Sequence, residues 1–338
     1  MPDAPVVARA LLLAALLLVA AGAPAQEPKD KPAPWKLSAA VGPAFALGKA
    51  GERWAKLIAV QSGGNVAVQF FPGAALASRD PAREFLTLRD GAADLAVGST
   101  LYWSVQVVEL NAIGLPWLAP EDKDLAALAG EAVTERLAAA MERAGVVPLA
   151  FAVLGHRELA TTGQVPRSPE DMAGIKVRLA ATPFLTDLFV SLGAEPSAMT
   201  LADAQAALRT GTLNAQEGSL AAIAAAQLDT LGVRQLMLWG AVAECAVFAA
   251  NKAAWDGWTL EQRAVARDAA LEAARGLPAL ARAENDAALI ELRKRGMTVT
   301  RLTATGRAAF AAAARGVYDK WAAVAGPDLV RAAEAAVR

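Results

Sequence analysis

The chain has 338 residues, 55% hydrophobic and 20% charged, with a formal net charge of −1. One Cys (Cys245) and one His (His156) exclude an internal disulfide and a Cys/His zinc site, and leave His156 as the sole imidazole for nucleophile-His chemistry. The balanced charge offers no basic footprint for nucleic acid, and the apolar content suits a packed core better than disorder.

Arg9 precedes an unbroken apolar run over residues 10–21, and Ala23-Pro24-Ala25 supplies a small-x-small pattern. The run is shorter than the roughly 20 residues a spanning helix needs. Residues 1–25 therefore read as a secretory signal peptide cut before Gln26, with a membrane anchor as the lesser alternative. Residues 26–34, polar and Pro-rich, read as a flexible leader. Export without disulfides points to a bacterial-type periplasm.

Strands and helices then alternate. Residues 35–40 predict a strand, and residues 44–61 a helix stopped by Ser62-Gly63-Gly64-Asn65. Residues 66–71 read as a strand ended by Pro72-Gly73, and 79–90 as a helix broken by Gly91. Residues 94–98 form a buried strand that delivers Ser99 and Thr100 at its end. An apolar strand over 146–154 precedes His156-Arg157, and 175–179 is another strand. Thr182 caps a helix with Pro183 at its first position, and Thr200 caps the next, with Asp203 three residues on. Residues 219–228 are helical and 235–239 a strand. The apolar stretch 236–250, interrupted by Gly240 and Glu244, reads as buried strand and turn. Thr259 with Gln262 opens a long helix towards Arg295, disturbed at Gly276-Leu277-Pro278. Residues 297–302 are a last strand, followed by Ala-rich helix. The order is that of an α/β fold.

Motifs for catalysis are absent: no G-x-S-x-G, Walker loop, G-x-G-x-x-G or H-E-x-x-H occurs, so no enzyme is expected. His156 beside Arg157 reads as structural. Arg178 lies within a strand pattern, on the same face as Lys176. A buried guanidinium needs either an internal carboxylate or an anionic ligand, and periodicity alone favours the internal pair.

Four stretches bear on that choice: Ser62-Gly63-Gly64-Asn65 with residues 66–71 and Pro72-Gly73; Leu88-Arg89-Asp90-Gly91-Ala92-Ala93-Asp94-Leu95 continuing to Leu115-Pro116-Trp117-Leu118; Asp171-Met172-Ala173-Gly174-Ile175-Lys176-Val177-Arg178 followed by Leu192-Gly193-Ala194-Glu195-Pro196; and Ala206-Ala207-Leu208-Arg209-Thr210-Gly211 with Leu213-Asn214-Ala215-Gln216-Glu217. In their order and spacing the chain resembles the substrate-binding proteins of tripartite ATP-independent periplasmic (TRAP) transporters, of the DctP type. The resemblance implies a two-lobed periplasmic-binding-protein fold, class II-like, with crossing strands and a long helix linking the lobes. Lobe I takes 35–155 plus about 241–285, and lobe II 156–240 plus about 286–338. It further implies a monomer that captures an organic acid by cleft closure and delivers it to membrane permease subunits, without a cofactor.

The resemblance makes Arg178 the cation for the ligand carboxylate and Arg157 a second arginine aimed at it. It puts Ser99, Thr100 and Trp103 in the ligand-contacting loop, with Gln216 and Glu217 on the opposing strand. Trp239 and Phe184 are aromatic candidates for the cleft edge, with a core position as the other reading for each. The family usually carries Asn after Gln-Glu, and here it is Gly218, which implies a bulkier or less polar ligand than a sialic acid or a C4-dicarboxylate. Gln216-Glu217 alone lacks the roughly six oxygens of a hard cation, so no metal is expected. A binding protein of an ABC transporter, or a periplasmic enzyme acting on a small carboxylate, are the alternatives.

Overall fold

The computed structural model describes residues 33–199 and 201–338, so the expected signal peptide, the leader up to residue 32 and the Thr200 cap lie outside the described residues. β1 (Trp35–Ala39) pairs in parallel with both β2 (Val68–Phe71) and β3 (Leu95–Ser99). Parallel neighbours need a crossover, and the helix Ala46–Gln61 supplies it between β1 and β2. Its buried Ala50, Trp54 and Ile58 recur every four residues, so one stripe faces the sheet.

The second half repeats this plan. β5 (Lys176–Leu179) pairs in parallel with β6 (Glu195–Ala198) and β7 (Ala215–Ser219). The crossover from β5 to β6 is the helix Pro183–Ser191, where the Thr182 hydroxyl accepts the Leu185 amide at 3.3 Å and Pro183 occupies the first turn.

Two antiparallel strands join the halves. β4 (Val146–Thr161) and β8 (Gln235–Asn251) lie at the centre of one sheet ordered β2-β1-β3-β8-β4-β7-β5-β6, with β9 (Thr298–Arg301) pairing β8. Both run further than the sequence pattern suggests, 16 and 17 residues, and the expected turn within 236–250 is continuous strand. Gly155 and Gly240 look like breaks but serve as bends, with φ of +132° and +62°. The β4–β8 register also shifts between Val153 and Gly155 and between Arg157 and Leu159. The strands thereby change direction without ending.

The helix Leu260–Lys294 covers both halves. A Thr259/Gln262 capping box opens it, and Pro278 lies inside it without ending it. Buried Ala266, Ala270, Ala273 and Ala274 let it lie close over the first half, while Ala288 and Leu292 join the core of the second. Residues expected as one helix at 79–90 divide into a 3-10 turn, Pro81–Arg83, and a helix, Glu84–Arg89, because Asp80 caps a tighter turn by accepting the Ala82 amide at 3.0 Å. Among the described residues no helix is long and apolar enough to cross a membrane. Residues 34–338 pack as one unit, so the lobes are halves of a shared sheet.

Candidate functional site

The strand order places the carboxyl ends of β3 and β7 on either side of the crossing strands, the position where open α/β sheets bind ligands. Ser99, the last residue of β3, donates its hydroxyl to the Glu244 carboxylate on β8 and accepts the Leu101 amide at 3.1 Å. Thr100 accepts the Cys245 amide of β8 at 3.1 Å through Oγ1. On β4, Arg157 donates from Nη1 to Glu244 at 3.0 Å, from Nη2 to Glu217 at 3.1 Å and from Nε to the other Glu217 oxygen. One buried chain of polar contacts therefore passes from β3 through β8 and β4 to β7.

Burial opposes the charge on Arg157, and the carboxylates of Glu217 and Glu244 outweigh it, holding the guanidinium well above its ordinary value. Nε, Nη1 and Nη2 each donate one bond to a protein carboxylate, so the arginine that the resemblance aims at a ligand is held here by an internal ion cluster. A buried ion cluster of this kind is costly to open, because removing one partner strands the others away from water.

Arg178 differs. It is half-buried on β5, its Nε donates to the Met199 carbonyl at 3.1 Å, and it forms no ion pair among the described residues. Among the described residues no carboxylate forms the ion pair that periodicity favoured, and the two-pronged end of the guanidinium has no partner there. Arg178 is in register with Gln216 of β7, so the two side chains share a sheet face, and Glu217 points to the other. Gln216 is buried with its Oε1 unpaired. Next to it, a Cβ on Gly218 would meet Ile223 and Ala222 at 3.8 and 3.9 Å, ordinary contact distances.

The aromatic candidates are core residues. Trp103 is fully buried, pressed so closely on Gly98 that no Cβ fits there, with its edge on Phe85 at 5.6 Å between ring centres. Trp239 sits among Trp117, Phe189 and Phe310 and donates its indole N–H to the Arg157 carbonyl at 3.0 Å. Phe184 packs edge-on against Trp321 at 5.7 Å and also lines a small void with Thr100, Asn111 and Ala243.

His156 has both ring nitrogens turned to acceptors, Nε2 at 2.7 Å from the Ala119 carbonyl and Nδ1 at 3.4 Å from Asp122. It also lines a cavity of about 220 Å³ with Glu158, Trp239, Gly240 and Asn285, beneath the long helix. Glu158 accepts the Trp239 amide at 2.8 Å, and burial pushes its carboxyl up to about 7.

Sequence reasoning missed Glu244, Glu84 and Asn111. Glu244 did leave a signal, as one carboxylate within an apolar run, where a buried charge demands a partner.

Residues 37–324 match the family described as bacterial extracellular solute-binding protein, family 7, DctP. A solved TRAP periplasmic solute-binding protein from Ralstonia eutropha, with bound (S)-2-acetolactate, is 41% identical, with a TM-score of 0.84 over 90% of this chain and 98% of that one. A solute-binding protein of Verminephrobacter eiseniae is 27% identical over 75% of this chain and 74% of its own. An uncharacterised protein of Sinorhizobium fredii is 31% identical over 53% of this chain, which spans only a third (33%) of that relative's length. With the family matched across both halves of the sheet and the crossing strands between them, the chain belongs to the DctP family of extracellular solute-binding proteins.

Proposed function

We propose that this protein captures a small branched organic acid in the periplasm and hands it to the membrane permease of a TRAP transporter, by binding and not by turnover. The observation that carries the reading is Arg178, a half-buried guanidinium with no ion pair among the described residues, beside the unpaired Oε1 of Gln216. A carboxylate fits that fork with two parallel charge-assisted hydrogen bonds. The water it displaces belongs to a group already partly removed from solvent.

Arg178 and Gln216 anchor the acid from lobe II, and Ser99 and Thr100 meet it from lobe I. Arg157, Glu217 and Glu244 brace the crossing strands beneath, and Trp103, Phe184 and Trp239 shape the walls without touching the ligand directly. The lobes are residues 35–155 with about 241–285, and 156–240 with about 286–338. They turn about the bends at Gly155 and Gly240. Closure is favoured only by the extra affinity of the acid for the closed form.

A branched, compact ligand is supported by the acetolactate held by the Ralstonia relative. Calorimetry tests the anchor: Arg178→Ala lowers organic-acid affinity by about a hundredfold, the scale of a lost charge-assisted bidentate pair. Unchanged affinity excludes Arg178 as the anchor. In a thermal-shift panel, branched monocarboxylates stabilise the wild-type protein more than succinate does. Stabilisation by small dicarboxylates alone rejects the ligand class.

A further inference from the structure

Buried polar side-chain atoms nearly always find a partner, so those that do not mark places where one is to be supplied. Among the described residues such atoms are Glu84 Oε2, Trp103 Nε1, Gln106 Oε1, Asn111 Oδ1, Gln216 Oε1 and Asp229 Oδ1. All but Asp229 belong to the segment 84–111 of lobe I or to β7, on the two sides of the crossing strands.

Asn111 is the best defined of them. It opens a short helical turn, Asn111–Gly114, and is 3% exposed. Its amide nitrogen donates to the Val108 carbonyl at 2.9 Å, which fixes the orientation of the carboxamide and leaves the oxygen as the free end. That oxygen belongs to the residue lining the small void together with Thr100 and Gly114 from lobe I, Phe184 from lobe II and Ala243 from β8. The void therefore lies where the two lobes and a crossing strand meet, next to a residue already assigned to the ligand.

We propose that Asn111 is the residue that distinguishes a hydroxy acid from its unhydroxylated or oxo analogue, its Oδ1 accepting the hydrogen bond of a ligand hydroxyl. The inference rests on the organic-acid reading above and narrows it. A carboxamide oxygen is only an acceptor. A ligand hydroxyl satisfies it, whereas a keto oxygen at the same position places two acceptors together and a methylene leaves Oδ1 buried without a partner. Sites built to receive a hydroxyl discriminate strongly against analogues that lack it, because the loss falls on the protein group left unpaired. Of the other lining residues only Thr100 is polar: its Oγ1 accepts the Cys245 amide and its O–H remains a donor for a ligand oxygen, while the remaining lining side chains are apolar, which leaves Asn111 Oδ1 as the wholly unpaired acceptor.

The test is calorimetry on the full mature chain with three acids of one carbon skeleton: 2-hydroxy-3-methylbutanoate, 2-oxo-3-methylbutanoate and 3-methylbutanoate. The wild-type protein binds the hydroxy acid about tenfold or more tightly than either analogue. Asn111→Leu, similar in size and apolar, removes that preference by weakening the hydroxy acid alone, with the other two acids within about threefold of wild type. If Leu is not accommodated, as a shifted melting curve would reveal, Asn111→Ala vacates the same oxygen and serves in its place. A preference that survives in the variant overturns the assignment, since another group or a water then reads the hydroxyl. Equal wild-type binding of all three acids also overturns it and leaves the organic-acid reading intact. Binding of none of them, or of any other carboxylate, removes both.

Discussion

Glu84 shows how much one residue can commit. It is completely buried, accepts the Ser38 hydroxyl at 3.0 Å with one oxygen, and burial pushes its carboxyl up to about 8. The unfolded chain releases that proton near the ordinary value of 4.5, so between about 4.5 and 8 the folded state holds more protons than the unfolded one. Stability must then fall as pH rises through that window. Glu158, raised by burial to about 7, acts with the same sign. So does His156: burial lowers its value, but the bonds to Asp122 and the Ala119 carbonyl outweigh this and raise it, so its contribution is lost as pH rises through the folded value. Asp122 runs the other way, its value lowered by His156, and its contribution is lost on acidification. The expected outcome is a melting temperature that declines from pH 5 to pH 8. Glu84→Gln, a neutral mimic of the protonated acid, flattens the decline and raises the pH 8 value by ~2 °C or more, as expected for stabilisation of about 1 kcal/mol in a chain of this size. Melting curves of the two proteins at both pH values decide it. Parallel declines show that Glu84 does not carry the effect.

At the scale of elements, the crossing strands depend on backbone that only glycine provides cheaply. Gly240 has φ +62°, and a Cβ there would lie 2.6 Å from the Pro120 carbonyl oxygen. Gly240→Ala combines a left-handed backbone with a clash against main chain, and is expected to cost about 2–3 kcal/mol. Gly218→Ala, whose Cβ meets nothing closer than 3.8 Å and whose φ is not left-handed, is the control, staying within about 0.5 kcal/mol. Urea unfolding measures both, and equal stabilities would show that the bend tolerates a side chain. The same glycines explain what the sequence made legible. Period and cap signals located β1, β2, β3 and β5 and the helices opened by Thr182 and Thr259, because alternation, helical period and caps are local, whereas β6, β7 and the helices Asp122–Leu128 and Glu131–Arg143 were not read from them. The crossing strands looked shorter than they are, since Gly155, Gly240 and Glu244 read locally as interruptions. Arg178 stood out because a charge in a short apolar strand is anomalous, but periodicity alone favoured an internal ion pair, and only the resemblance pointed it at a ligand. The partners of Arg157 were not, lying 60 and 87 residues away on β7 and β8. Nor was Asn111, whose importance rests on an unpaired oxygen that only the folded packing reveals.

For the whole molecule, a net charge of −1 supplies no long-range attraction for an anion, so capture must be decided by contact within the cleft. The buried cluster of Arg157, Glu217 and Glu244 sharpens this, because its two carboxylates against one guanidinium offer a ligand carboxylate no welcome at the centre of the sheet. On the proposed reading the acid is held towards lobe II, at Arg178, and draws lobe I towards it only through contacts completed on closing. β4 and β8 carry the bends at Gly155 and Gly240 while the sheet pairing continues on either side, and the proposed closure turns about them. The helix Leu260–Lys294 packs on both halves and so ties them together. Binding and closure should therefore be one event. Small-angle X-ray scattering is expected to show a smaller radius of gyration when the wild-type protein is saturated with a branched hydroxy acid, and no change for Arg178→Ala at the same concentration. An unchanged radius for the saturated wild-type protein would mean that the acid binds without moving the lobes, and that the bends in the crossing strands serve to shape the cleft instead of to close it.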